Sequence, residues 1–186
     1  MVLAAGAGRR YGMPKALVSF DGRLLVRRAA AALSSLSRVI VVLGAGDARV
    51  VAPELTYVDN SDWASGMGSS LRAGLAAVEG ADAAVITLVD MPGVTAAAVD
   101  RIAAYAAPDA LVMGGYGDRR GHPVLLGRDH WAGVSAAAVG DRGARDYLRA
   151  HDVRVVDVGD VADDTDLDVP LPDVPLPDVP PEAGHA

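Results

Sequence analysis

Lys15 is the only lysine in the chain; every other member of its 17 permanently basic side chains is an arginine. It closes the run Gly6-Ala-Gly8-Arg9-Arg10-Tyr11-Gly12-Met-Pro14-Lys15, which follows the short apolar stretch Met1–Ala4. Glycines at the end of a strand let backbone N–H groups approach an anion, and Arg10 and Lys15 add charge. An ammonium is a compact point charge on a flexible stem, suited to phosphate oxygens that move during a reaction, whereas a guanidinium is a rigid fork. The chemistry indicated is phosphate binding. Two familiar phosphate loops do not fit. A dinucleotide turn leads straight into a helix and wants an acid after the second strand, but Pro14 and Phe20-Asp21-Gly22 interrupt any helix here, and the second apolar run ends Leu43-Gly44-Ala45-Gly46. A phosphotransferase loop needs Gly-Lys-Ser/Thr, which is missing.

Other residue types with chemistry lie further along. Asp90 ends the apolar run Ala83–Val89; it suits a divalent cation, which prefers one or two carboxylates plus phosphate oxygens, or it serves as a turn or helix-cap residue before Thr95. Asn60 offers both a donor and an acceptor to a heterocycle edge, although Asn60-Ser-Asp is also ordinary turn chemistry. His122 stands between Gly121 and Pro123, with no second histidine at metal-ligand spacing. Asp141, Arg142 and Arg145 either hold acidic substrate groups or cap and decorate a helix.

These residues need a scaffold, and the patterning supplies one. Strand-length apolar runs at Met1–Ala4, Val39–Leu43, Thr56–Asp59, Ala83–Val89, Ala110–Met113 and Arg154–Val158 alternate with helical spacing at Leu24–Leu36, Gly68–Val78, Thr95–Tyr105 and Gly143–His151. That predicts an α/β fold of three layers, with a mostly parallel central sheet and helices on both faces. Tyr116 to Leu126 reads as an excursion from the sheet. The first strand begins at Met1 itself, so a residue or two upstream is expected. At 186 residues and 51% apolar the chain suits one domain, expected over 1–168. The remainder, 169–186, repeats Asp-Val-Pro-Leu-Pro and predicts an extended acidic tail. Residues 163–186 hold seven acids and no Lys or Arg, leaving 17 acids against 17 bases in the body. A balanced body argues against a nucleic-acid-binding face and a basic membrane-surface helix. Cysteine is absent, and no apolar run nears the ~18 residues of a membrane span. With no basic leader, a soluble cytoplasmic protein is the expectation.

Leu3-Ala4-Ala5-Gly6-x-Gly8-x-Arg10-Tyr11-Gly12-x-Pro14-Lys15 resembles the signature loop of MobA-like nucleotidyltransferases, usually Leu-Ala-Ala-Gly-x-Ser-x-Arg-Met-Gly-x-x-Lys; Gly8 and Tyr11 depart from it. Further matches follow in order: Asn60-Ser-Asp-Trp63-Ala-Ser-Gly66-Met67-Gly-Ser-Ser70, Asp90-Met-Pro92, Gly121-His122-Pro123 and Gly140-Asp141-Arg-Gly143-Ala144-Arg145. The set is similar to the molybdenum cofactor cytidylyltransferase branch, because the guanylyltransferase branch has Gly-Pro-Leu-Ala-Gly where this chain has Ser65-Gly-Met-Gly-Ser. The resemblance implies the Rossmann-like fold of nucleotide-diphospho-sugar transferases. It also implies a Mg²⁺-dependent transfer of CMP from CTP to the phosphate of a molybdopterin-type pterin. In that reading Arg10, Lys15 and Asp90 are catalytic, and Leu3, Ala4, Ala5, Gly6, Gly8, Lys15, Asn60, Gly66, Met67 and Ser70 bind the nucleotide. His122, Asp141 and Arg145 face the second substrate, and Asp90 and Asp168 hold the metal. Asp164 and Asp166 are substitutes for Asp168, since prolines replace the helix that follows the ligand in relatives. A molybdoenzyme is an implied transient partner. Three alternatives stay open: GTP as donor, an isoprenoid-precursor or sugar phosphate as acceptor, and a non-catalytic chaperone for the molybdenum cofactor.

Overall fold

The computed structural model describes residues 1–167. Its centre is a seven-stranded sheet built from β1 (Val2–Leu3), β4 (Val41–Leu43), β5 (Tyr57–Asp59), β6 (Ala83–Leu88), β7 (Leu111–Tyr116), β8 (Arg119–Gly127) and β9 (Arg154–Asp157); β2 (Ser19–Phe20) and β3 (Arg23–Leu24) form a separate small hairpin. The order across the sheet is β5-β4-β1-β6-β8-β7-β9. All neighbours pair in parallel except β8, which runs antiparallel to both β6 and β7.

The side chains explain the layers. Along a strand successive residues point to opposite faces. Val2, Val41 and Leu43 enter one core with Leu25, Val26, Val99 and Ile102, whereas Leu3, Val42 and Ile86 enter the other with Leu71, Leu75, Val134 and Leu148. The first face is therefore covered by α1 (Leu25–Ala32) and α3 (Ala96–Ala103), the second by α2 (Met67–Ala77), α4 (Trp131–Ala137) and α5 (Arg145–Arg149). Burial on both faces is why the strands read as continuous apolar runs. Each fully buried Leu or Ile of these clusters contributes about 2 kcal/mol through area removed from water. At α3, Thr95 Oγ1 accepts from the Ala98 N–H and donates to the Val161 carbonyl, so one hydroxyl caps the helix and ties down the C-terminal segment.

The excursion expected over Tyr116–Leu126 is corrected: this stretch is a hairpin strand inside the sheet, between β6 and β7. Pro123 is tolerated because the β7–β8 register shifts between Met113 and Gly114. Met113 pairs with Val124 and Gly114 with Gly121, so His122 and Pro123 are extra residues on β8. The expected helices Leu24–Leu36 and Gly143–His151 are shorter than their apolar spacing suggested, and α4 was not anticipated. Asp168 and residues 169–186, the expected tail, lie outside the described residues. No helix among the described residues is long and apolar enough to cross a membrane.

Candidate active site

Between β1 and β6 the order of strands reverses, since the chain first builds outward to β4 and β5 and then returns to β6. In an open parallel sheet the crevice beyond the strand ends at such a reversal is where ligands bind. The glycine-rich loop occupies that place. Ala4 donates to the Val42 carbonyl and Val89 to the Leu3 carbonyl, so the chain leaves β1 held on both sides. Gly8 has φ +59°, and a Cβ there would lie 1.9 Å from the Met13 carbonyl oxygen. Only glycine permits this fold-back, which the Tyr11 and Gly12 N–H groups close onto the Gly8 carbonyl. Tyr11 is buried in the core beneath, anchoring the loop. Gly6 is exposed, and a Cβ there would meet nothing within 4 Å; Arg10 is exposed on the same loop. A second loop braces the first: Gly46 packs on Pro14, Ala45 donates to the Ala5 carbonyl, and Gly44 packs on Trp63.

Lys15 emerges from this loop, and its Nζ lies 2.7 Å from Asp90 Oδ2. Both side chains are mostly buried, 14% and 21% exposed, so the pair is screened less than a surface ion pair. Asp90 follows β6 directly. Its carbonyl accepts from Leu167, and Gly93 accepts from Asp163, which lays residues 163–167 along the Asp90 turn. Among the C-terminal acids, Asp164 is paired with Arg119 at 2.8 Å, while hydrogen bonds from Thr165 hold the Asp163 carboxyl below its usual range. Asp166 is exposed, and Asp168 lies one residue past the described segment. Oxygen donors beside a phosphate-type loop fit a hard divalent cation, and no cluster of three or more His, Cys, Asp or Glu is present among the described residues.

The start of α2 puts Met67 and Leu71 in a cavity wall, with Asn60 buried behind it. The Asn60 amide donates to Ser69 Oγ (2.8 Å) and Ser70 Oγ (3.0 Å), and its Oδ1 accepts from the Asp62 N–H. With 7% exposure, Asn60 is thus a buried clasp between β5 and α2. Gly66 (φ +112°) abuts Gly140 and Asp141, and Gly68 abuts Ala138. Met67 stays exposed and joins the wall of a cavity of about 460 Å³.

That cavity collects the residues expected for a second substrate: His122, Asp141 and Arg145 all line it. Its floor is apolar, with Leu3, Leu71, Ile86, Leu88 and Val124; Arg120, Arg142 and Arg149 stand at its rim beside Arg145. Arg142 is one of the residues whose sequence position suggested a hold on acidic substrate groups, whereas Arg120 and Arg149 were not singled out from the sequence. The only signal was their proximity to Gly121-His122-Pro123 and Gly140–Arg145. His122 Nδ1 lies 3.1 Å from the Ile86 carbonyl oxygen, and the Tyr116 hydroxyl donates to the His122 carbonyl at 2.6 Å. Burial pushes the His122 imidazolium below the usual histidine range, opposed by the Ile86 hydrogen bond and the Asp90 charge. Another cavity, about 590 Å³, lies at the opposite end of the strands between α1, Val39 and Leu55. Its lining includes the Arg27–Glu54 ion pair and none of the residues singled out for chemistry from the sequence.

The family described as the MobA-like NTP transferase domain matches residues 1–155. The chain is 36% identical over 184 residues, 90% of each chain, to the nicotine blue oxidoreductase of Paenarthrobacter nicotinovorans. It is 35% identical over 135 residues to the molybdenum cofactor guanylyltransferase of Rhodobacter capsulatus, covering 70% of this chain and 64% of that one. Among solved structures, Rv0371c from Mycobacterium tuberculosis superposes with a TM-score of 0.73 at 28% identity, covering 90% of this chain and 91% of the other, and it has also been solved in complex with manganese.

Proposed function

Because the chain belongs to the MobA-like NTP transferase family, and is thereby a nucleotidyltransferase, we propose that it moves CMP from CTP to the phosphate of a molybdopterin-type cofactor. The observation that carries the reading is the Lys15–Asp90 pair at the loop where the sheet order reverses. An acceptor phosphate oxygen attacks the α-phosphorus; the new O–P bond forms as the bond to the bridging oxygen breaks and pyrophosphate departs. Negative charge concentrates between the α- and β-phosphates, where fixed dipoles and cations lower the barrier most. The glycine-loop N–H groups, Arg10 and Lys15 supply them. Asp90, with a C-terminal carboxylate such as Asp168, would hold a Mg²⁺ ion, which when bound supplies further charge neutralisation. Lys15 then turns from Asp90 to the phosphates, so the ion pair keeps both groups ready on one side of the crevice.

The Ser65-Gly-Met-Gly-Ser turn, standing where the guanylyltransferase branch has Gly-Pro-Leu-Ala-Gly, supports cytosine over guanine. Pyrophosphate release measured with each of the four triphosphates, Mg²⁺ and the molybdopterin acceptor tests the assignment. Turnover with GTP and none with CTP reverses the base, and turnover only with an isoprenoid-precursor or sugar phosphate reverses the acceptor. The identity to a relative named for oxidoreduction favours a second reading, in which the apolar-floored cavity takes a redox-active organic compound. Hydride transfer from a reduced nicotinamide nucleotide to such a compound, without pyrophosphate release from any triphosphate, would establish it instead.

A further inference from the structure

His122 owes its place to the bulge. It and Pro123 have no partners on β7, and such an insertion swings a side chain out of the regular pleat. Two contacts then fix it: the Tyr116 hydroxyl holds its carbonyl, and its Nδ1 sits 3.1 Å from the Ile86 carbonyl oxygen. A carbonyl can only accept, so Nδ1 carries the hydrogen. In the neutral ring Nε2 is then a lone-pair acceptor. Among the described residues Nε2 has no hydrogen-bond partner, and His122 lines the 460 Å³ cavity. An unpaired acceptor on an apolar-floored wall selects for a donor.

Resting on the nucleotidyltransferase reading, we propose that His122 is the specificity determinant of the acceptor cavity: its Nε2 accepts a hydrogen bond from a ring N–H or hydroxyl on the uncharged body of the second substrate, and the rim arginines take that substrate's anionic end. A lone pair repels a phosphate oxygen, so the anion is directed to Arg120, Arg142, Arg145 and Arg149. Burial, which disfavours the imidazolium, keeps the division in force. A phosphate monoester near neutral pH is already largely a dianion; it needs no base to attack, which leaves His122 available for recognition. The cavity therefore selects a planar heterocycle with an N–H edge and a phosphate held at the arginine rim, and discriminates against an apolar ring bearing the same phosphate.

Two probes separate the terms: a pterin monophosphate, followed by its own fluorescence, and phenyl phosphate, which has the anion without a ring donor. Each is titrated into wild type, His122→Phe, His122→Gln and Arg145→Ala in the presence of Mg²⁺ and a non-hydrolysable CTP analogue. His122→Phe keeps a ring but removes the acceptor, and is expected to weaken the pterin probe about tenfold while leaving phenyl phosphate unchanged. His122→Gln, which can still accept at the end of its side chain, retains most of the affinity. Arg145→Ala weakens both probes. Equal losses of both probes in His122→Phe, no loss of the pterin probe, or wild type that binds neither probe or both equally overturns the assignment. Failure of the underlying reading is visible separately, as wild type that does not bind the CTP analogue.

Discussion

At Lys15 the question is why an ammonium is kept where arginine is the chain's habit. Its Nζ lies 2.7 Å from a single Asp90 oxygen, with only 14% of the side chain exposed. A guanidinium carries the same charge, but it spreads that charge over a rigid plane and would engage Asp90 with two nitrogens. It would hold the carboxylate more firmly and follow the α-phosphate less well. Lys15→Arg is therefore expected to lower kcat by about 10²-fold, the scale for removing one well-placed donor in a transition state, with a smaller change in triphosphate affinity. Steady-state pyrophosphate release checks this, and full turnover with unchanged affinity would return Lys15 to an accident of composition. The loop that carries Lys15 was legible because it spans ten residues, whereas its partner Asp90 is 75 positions away and is brought beside it by the pairing of β1 with β6. Asn60 was less legible. Its amide suits a base edge, but its donors are spent on Ser69 and Ser70, contacts that only the packing of α2 against β5 creates.

Elements follow the same division between local and distant causes. Runs such as Val39–Leu43 and Ala83–Val89 announced β4 and β6, since a strand buried on both faces has no alternation to disguise it. β8 was misplaced because its glycines and Pro123 speak locally for a loop, while its position between β6 and β7 is decided by pairing with residues about 40 positions away in the case of β6. The contact between Gly66 and the 140–141 segment shows what such distant packing imposes. Gly66 begins α2 with φ +112°, and a Cβ there would lie 2.4 Å from the Gly140 carbonyl carbon and 2.8 Å from Asp141 Oδ1. Gly66→Ala is expected to push the 140–143 segment off α2, moving Asp141 and the start of α5. Backbone strain of about 1–2 kcal/mol accompanies the shift. The acceptor KM should rise several-fold, and the triphosphate KM should rise with it, because Gly66 also belongs to the turn assigned to the nucleobase. An unchanged acceptor KM would mean that this contact does not shape the acceptor side.

Across the whole molecule the sheet divides its labour. The parallel half, β5-β4-β1-β6, ends in the glycine-rich loop proposed to bind phosphate, and the half containing the β7–β8 hairpin carries the wall proposed for the acceptor. Tyr116 joins the hairpin to that wall through its bond to the His122 carbonyl, and its own environment makes the junction sensitive to alkali. Burial, reinforced by the negative charges of Asp164 and Asp163, pushes its hydroxyl from the usual value near 10 up to about 12. The unfolded chain therefore releases the proton near pH 10, whereas the folded chain keeps it to about pH 12. Between those limits the folded state binds more protons, so its stability falls as pH rises. Well below pH 10 the full stability is present, and the loss grows to about 3 kcal/mol, about 1.4 kcal/mol for each pH unit between 10 and 12, once the folded hydroxyl ionises. Tyr116→Phe removes the titrating group; it should cost about 1 kcal/mol at neutral pH through the lost hydrogen bond and then lose less stability than wild type across the alkaline range. Urea unfolding of both proteins between about pH 9 and 12 measures the difference. Converging stabilities would locate the alkaline weak point at the β7–β8 junction, and parallel curves would move it elsewhere.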